Sequence, residues 1–394
     1  MTTFKELGLC GPLVDALERE GITEPFPIQA LTVADALEGR DVCGKARTGS
    51  GKTLAFGLPM LQRLSEMGDR KGIGGLILVP TRELAGQVLD VLKPLGEAIG
   101  LTVASFYGGT NIDDQISAVK NGVDVAVATP GRLIDLIDRK AVSLRDVRIV
   151  VVDEADRMAD MGFLPQVEWV MRKLGETKPQ GLLFSATLDG QIDVLVRDYL
   201  TDPVRHEVES TSVTVEEMVH RFLKVHEMDR VRVVASIANG VSRTIVFVRT
   251  KRMADRLTGE LEREGVKVSA LHGDLRQSAR ERSLRKFSKG SHEILVATDV
   301  AARGIHVDDV DVVIHFDPPE DHKAYLHRSG RTARAGQDGV VVTFVLWNQI
   351  LEVEKLQKRL RLKDEPIVEV FSNDPRLADL TRFGEGEENE QAAS

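Results

Sequence analysis

Asp41-Val42-Cys43-Gly44-Lys45-Ala46-Arg47-Thr48-Gly49-Ser50-Gly51-Lys52-Thr53-Leu54 is the stretch on which the fold turns. Asp41-Val42-Cys43 reads as a strand, and a helical run begins at Leu54. Between them, glycines free the backbone to wrap phosphate oxygens with N–H groups, and the helix start adds its own. Lys52 then reaches the outer phosphates and Thr53 is placed to hold Mg2+. Ala46, Arg47, Thr48, Gly49, Ser50 and Gly51 form the loop itself, with Ala46 standing where the common pattern has glycine.

A phosphate cradle needs an acidic partner, and Asp153-Glu154-Ala155-Asp156 follows the apolar run Ile149-Val150-Val151-Val152. Asp153 suits metal binding through water, and Glu154 suits orienting or deprotonating an attacking water. Carboxylates at a helix start also complement the helix dipole, so the cluster acquires a catalytic reading only beside the cradle. Other short apolar runs end the same way. Leu76-Ile77-Leu78-Val79 leads into Pro80-Thr81-Arg82-Glu83, and Leu182-Leu183-Phe184 into Ser185-Ala186-Thr187. Continuous apolar strands are buried on both faces, which predicts α/β architecture with mainly parallel sheets and helices on both faces. Ligands then bind beyond the carboxyl ends of the strands, where the polar clusters lie.

The second half repeats the first. Leu78-Val79-Pro80-Thr81-Arg82 is echoed by Phe247-Val248-Arg249-Thr250-Lys251, Phe106-Tyr107-Gly108-Gly109 by Leu271-His272-Gly273-Asp274, and Val127-Ala128-Thr129-Pro130-Gly131-Arg132 by Val296-Ala297-Thr298-Asp299. With 394 residues, this predicts two related domains, 1–206 and 220–370, a polar linker at 207–219, and an acidic disordered tail at 371–394. A net charge of −9 excludes a broad basic surface, so any nucleic acid must be held in a local groove. The cysteines, Cys10 and Cys43, show neither paired nor metal-ligand spacing. With no export signal or membrane-length apolar run, the expected setting is cytoplasmic.

Taken together, these residues resemble the DEAD-box RNA helicases, whose four-letter name stands here as Asp153 to Asp156. The resemblance runs from Phe4 to about Val345 and implies two tandem RecA-like domains. It implies that Gln29, in Gly21-Ile22-Thr23-Glu24-Pro25-Phe26-Pro27-Ile28-Gln29, reads adenine with Ile22, while Phe4 stacks on the base. It further implies RNA contacts from Pro80, Thr81, Arg82, Gly108, Gly109, Thr129, Pro130, Gly131 and Arg132, then from Arg249, Thr250, Gln277, Arg280, Thr298 and Asp299. These groups suit phosphate and sugar contacts that carry little sequence information. In His327-Arg328-Ser329-Gly330-Arg331-Thr332-Ala333-Arg334, the family's last motif, Arg331 and Arg334 are implied arginine fingers. Ser185 and Thr187 are implied to couple ATP state to RNA state through the acidic motif, Asp156 included.

One position departs from the family. In Ala301-Ala302-Arg303-Gly304-Ile305-His306, where Gly304 and its neighbours are expected at the nucleotide, His306 replaces an acid that touches the ATP ribose. Facing the nucleotide, this imidazole would make ATP affinity pH-sensitive. The resulting expectation is an ATP- and Mg2+-dependent RNA helicase, monomeric and without membrane association, that locally melts short duplexes or remodels RNA–protein complexes. A slow-turnover RNA clamp and a DNA translocase use similar residues and are separated from it by assay.

Overall fold

The computed structural model describes residues 2–46, 49–68, 72–175, 178–188, 190–208, 218–302, 310–332 and 339–380, with the side chains of Val300 and Lys323 excepted. Two compact units divide the chain at Ser210 and Thr211.

The first unit holds seven strands: β1 (Val42–Lys45), β2 (Gly75–Leu78), β3 (Val103–Phe106), β4 (Val125–Ala128), β5 (Ile149–Asp153), β6 (Gln180–Ser185) and β7 (Val204–Glu207). Their spatial order is β3-β4-β2-β5-β6-β1-β7, and every neighbouring pair is parallel. The apolar runs are unbroken because successive side chains feed different cores. Ile149 and Val151 pack on one face with Val42, Leu182 and Phe184; Val150 and Val152 pack on the other with Cys43, Leu76, Leu78 and Leu183. Period-two alternation of side chains across a pleated strand makes both faces apolar.

The second unit holds β8 (Val219–Lys224), β9 (Thr244–Val248), β10 (Val268–Leu271), β11 (Ile294–Thr298), β12 (Val312–His315), β13 (Val340–Val345) and β14 (Ile367–Glu369). Their order, β10-β11-β9-β12-β13-β8-β14, is the first sheet's order repeated strand for strand, again all parallel. The three sequence echoes fall at the ends of β2 and β9, of β3 and β10, and of β4 and β11. They therefore occupy equivalent places in the two sheets. Helix starts repeat as well: Thr81 caps Arg82–Ala98 by accepting from the Leu84 N–H, and Thr250 caps Lys251–Arg263 by accepting from the Met253 N–H.

The expected boundaries need correction at both ends. Glu207 closes strand β7, which pairs with β1, and Val208 donates to the Lys45 carbonyl, so the first unit extends past 206. Residues 371–380 do not begin a disordered tail. Ser372 is held by the Asp229 carboxylate, a 3-10 turn spans Pro375–Ala378, and Leu377 and Leu380 lie in the second unit's core. Two leucines spaced among polar residues escape a composition-based reading. The remainder of the expected tail, 381–394, lies outside the described residues, as does 209–217 of the expected linker.

Candidate active site

At the carboxyl edge of the first sheet, strands β5, β6 and β1 are adjacent and bring the chemistry together. Past β1, Ala46 donates to the Ser185 carbonyl, which extends the ladder into the loop. Gly49 and Gly51 have φ of 82° and 83°, a region that favours glycine. Gly51 is also sterically confined: a Cβ there would lie 2.4 Å from Gln29 Nε2 and 2.6 Å from a Phe26 ring carbon. Lys52 and Thr53 open the helix Lys52–Glu66. The Lys52 side chain is buried, and its ammonium donates to the Ala46 carbonyl at 3.0 Å. Arg47 and Thr48 lie outside the described residues.

The acidic residues end β5. Asp153 is 2% exposed, and burial pushes its carboxyl up to about 7, opposed by the Lys52 ammonium and reinforced by Glu154 and Asp156. Glu154 adopts a left-handed conformation at φ 51°, of a kind that costs a non-glycine residue on the order of 1–3 kcal/mol and clusters at functional sites. Its Oε2 pairs with the Arg157 guanidinium at 2.5 Å, whereas its buried Oε1 has no hydrogen-bond partner among the described residues. The Asp156 N–H donates to the Ser185 hydroxyl at 3.1 Å, which joins the β5 and β6 turns; Thr187, two residues on, is exposed. The buried Asp153 carboxylate and the Thr53 hydroxyl form a hard-oxygen set beside the orphaned Glu154 Oε1. Such a set fits Mg2+, which takes one or two carboxylates with phosphates and waters. No cluster of three or more His, Cys, Asp or Glu suited to a metal occurs among the described residues.

Gln29 is buried and joins this loop to the N-terminal segment. Its Oε1 accepts from the Phe26 N–H at 2.8 Å and its Nε2 donates to the Gly51 carbonyl at 2.9 Å. One amide hydrogen and one lone pair remain for a base. Ile22 is partly buried against the core. Phe4 does not present a stacking face: at 2% exposure its ring is enclosed in the core, because Leu7, Leu9 and Leu13 of the same segment bury with it. The exposed ring beside the loop is Phe26, at 55%. Sequence reading passed over it because it stands at a helix N-cap, a place for small polar residues. Arg157 was also missed, although its i+3 spacing from Glu154 is a helical pairing signal.

The other end of the same edge, β3-β4-β2, gathers the residues expected to contact RNA. Pro80 and Thr81 follow β2, Gly108 and Gly109 follow β3, and Thr129 with Pro130 opens the helix Pro130–Asp138 after β4. Arg82 covers the two glycines so closely that a Cβ on Gly109 would sit 2.2 Å from its Nη1. Arg132 donates from Nη2 to the Thr110 carbonyl at 3.2 Å, and its buried Nη1 has no partner among the described residues. Burial, with Arg82 and Arg139 nearby, lowers its pKa, while Asp135 opposes the shift. A Cβ on Gly131 would lie 3.8 Å from Gln166 Oε1, an ordinary contact.

In the second unit, Arg249 donates its N–H to Asp317 at 2.9 Å, and Thr250 is occupied as a helix cap. Arg280 donates to the His272 carbonyl at 3.2 Å, and Gln277 and Thr298 are buried. Asp299, expected at RNA, has both oxygens on Arg328 at 2.6 and 2.7 Å; a carboxylate so engaged positions the arginine instead of meeting phosphate. Arg331 follows the helix His322–Ser329 and is partly buried. Gly304, His306 and Arg334 lie outside the described residues.

A buried lysine and two buried carboxylates beneath a glycine loop, on a sheet whose plan is then duplicated, define a nucleoside-triphosphate hydrolase of the tandem RecA-like class. Comparison with known proteins makes the assignment narrower. The family models for the DEAD/DEAH box helicase and the helicase conserved C-terminal domain match residues 26–195 and 225–336. The chain is 42% identical over 364 residues to the DEAD-box ATP-dependent RNA helicase CshA of Bacillus cereus, covering 91% of this chain and 69% of that protein. It is 40% identical to CshA of Geobacillus kaustophilus, covering 96% and 82%. Among solved structures, S. cerevisiae Dbp5 bound to RNA and ADP BeF3 matches with a TM-score of 0.79 and 30% identity over 100% of this chain and 99% of that one. The DEAD-box helicase Mss116 bound to ssRNA and UDP-BeF shares the fold, at a TM-score of 0.80, 24% identity and 96% and 82% coverage. The chain belongs to the DEAD-box family of ATP-dependent RNA helicases.

Proposed function

We propose that this chain hydrolyses ATP to clamp and bend one RNA strand, opening short duplexes locally or remodelling RNA–protein complexes. The observation that carries the reading is the division of a single sheet edge: buried Lys52, Asp153 and Glu154 after β1 and at the end of β5, and Arg82, Gly109 and Arg132 after β2, β3 and β4. Lys52 binds the outer phosphates. Thr53 and Asp153 would hold Mg2+, which supplies charge neutralisation for the phosphate oxygens. Glu154 positions the attacking water and receives its proton at the unpartnered Oε1, while Arg157 fixes Oε2. Gln29 reads adenine with its remaining donor and acceptor, and Phe26 offers the base an aromatic surface. Ser185, bonded to the Asp156 backbone, passes the state of the acidic turn to the neighbouring strand.

Arg331 and Arg334 complete the site only when the second unit engages the nucleotide, so RNA and ATP act together. At about 1.4 kcal/mol per stacking step, opening about eight steps costs roughly 11 kcal/mol, which favours local melting over long travel. The protein acts in the cytoplasm as a monomer, with partner proteins choosing its RNA.

ATP hydrolysis measured without nucleic acid, with single-stranded RNA and with single-stranded DNA, together with displacement of a short RNA duplex, tests this reading. Stimulation by RNA and strand release are expected. Lys52→Ala and Glu154→Gln should each lower hydrolysis by about 10²-fold or more, as loss of an electrostatic or general-base group does. Equal stimulation by DNA would identify a DNA translocase, and tight RNA binding without strand release would identify a clamp.

A further inference from the structure

The carboxyl edge of the second sheet carries a surface that the nucleotide and RNA roles leave unused. Strands β13, β8 and β14 are neighbours there, with Val345, Lys224 and Glu369 level with one another. The strands at the same three places in the first unit are β6, β1 and β7, whose turns supply Ser185 and the phosphate loop. In the second unit those turns read Leu346-Trp347-Asn348, Val225-His226-Glu227-Met228-Asp229 and Val370-Phe371-Ser372, without a glycine. The turn after β8 is tight. Asp229 donates its N–H to the His226 carbonyl at 2.9 Å, and its carboxylate accepts from both the N–H and the hydroxyl of Ser372 at 2.8 Å. A carboxylate at the helix start and a backbone closed on itself leave no cradle for phosphate.

The duplicated position presents apolar side chains instead. Met228 is 86% exposed, Trp347 79%, Leu351 74% and Phe371 57%. These are the four most exposed large hydrophobic residues among those described, and all four belong to the segments that leave these three adjacent strands. Scattered exposed apolar residues need no explanation, but a concentration of this kind marks an interaction surface. Charge indicates what covers it. The pairs Lys224–Glu369 and Arg376–Asp374 cancel, leaving Glu227, Asp229 and Glu352 as the local excess. Phosphate is repelled by such a rim, and the chain's own last residues, with Glu385, Glu387, Glu388 and Glu390, carry the same sign.

We propose that this edge docks a protein partner through a short segment of large apolar side chains flanked by lysine or arginine. Trp347 is the principal anchor, since buried tryptophans dominate interface energetics. The proposal does not depend on the mechanism of hydrolysis, and its test keeps the two apart.

The probe is a fluorescein-labelled amphipathic peptide of leucine and lysine, titrated into the full chain. Trp169→Phe leaves Trp347 as the only tryptophan and hence as a reporter. Saturable binding with a blue shift of Trp347 emission is expected. A Met228→Ser, Trp347→Ser, Leu351→Ser triple variant should bind about tenfold or more weakly, with RNA-stimulated hydrolysis and melting temperature unchanged. A peptide with serine in place of leucine should lose affinity to the same degree. Equal binding by the triple variant, or by the leucine-free peptide, overturns the proposal. So does loss of RNA-stimulated hydrolysis in the triple variant, which would place the edge inside the helicase cycle. Sedimentation showing a dimer that the triple substitution dissolves would assign the surface to a second copy of the chain, and would equally overturn it.

Discussion

Asp153 shows at the scale of one residue how the site sets function against stability. Its carboxyl is pushed up to about 7 in the fold, mainly by burial, and has an ordinary value near 3.8 when unfolded. A carboxyl raised in this way favours the fold fully below its unfolded pKa, and the contribution is lost as pH rises through the folded value. Asp153→Asn removes that loss. Thermal denaturation without nucleotide should therefore give the variant a melting temperature above wild type at about pH 7, the gap closing toward about pH 4, while ATP hydrolysis disappears. A gap that does not vary with pH would count against burial as the cause. The place of Asp153 at the end of a buried strand is legible from the four apolar residues before it. Its burial is not, nor are the orphaned Glu154 Oε1 and the enclosure of Phe4, because each depends on side chains contributed by distant segments.

At the scale of elements, a glycine turn and a terminal segment each lead to a measurement. Gly109 has a φ of 87°, and a Cβ there would displace Arg82. Gly109→Ala should strain the turn by about 1–2 kcal/mol and weaken RNA binding, leaving ATP affinity intact. Parallel RNA and nucleotide titrations check this, and an equal loss in both would show that the β3 turn serves the nucleotide end too. The segment after β14 was read as tail because its composition is polar, yet Leu377 and Leu380 are buried. Full burial of a leucine is worth about 1.5–3 kcal/mol. A chain ending at residue 380 should therefore melt like the full chain, and one ending at 370 several degrees lower, measured by calorimetry. Identical melting of the two would return 371–380 to the tail. Strand runs and the order of the echoes were legible, since they depend on local periodicity; that Thr81 and Thr250 cap helices emerged only from the structure.

For the whole molecule, the prediction concerns the coupling of two units that share one plan. Neutralising Arg331 and Arg334 together should reduce RNA-stimulated hydrolysis by about 10³-fold or more, the scale of an arginine finger, while leaving ATP binding to the first unit unchanged. Steady-state turnover beside a nucleotide-binding titration checks this; full turnover in the double variant would refute the coupling. The amino-acid order alone determined that this chain makes two parallel-sheet units and that it belongs with RNA helicases, and it marked Gly49, Gly51 and Lys52 as the expected phosphate loop. Those conclusions follow from patterns carried by contiguous residues. Only the tertiary structure decided that Arg82, Gly109 and Arg132 share one end of a sheet edge, that Phe26 and not Phe4 is exposed beside the loop, that Asp299 holds Arg328, and that Met228, Trp347, Leu351 and Phe371 leave adjacent strands. The reason is that parallel crossovers set side by side strands far apart in sequence, so which turns become neighbours is a property of the strand order and not of any local stretch.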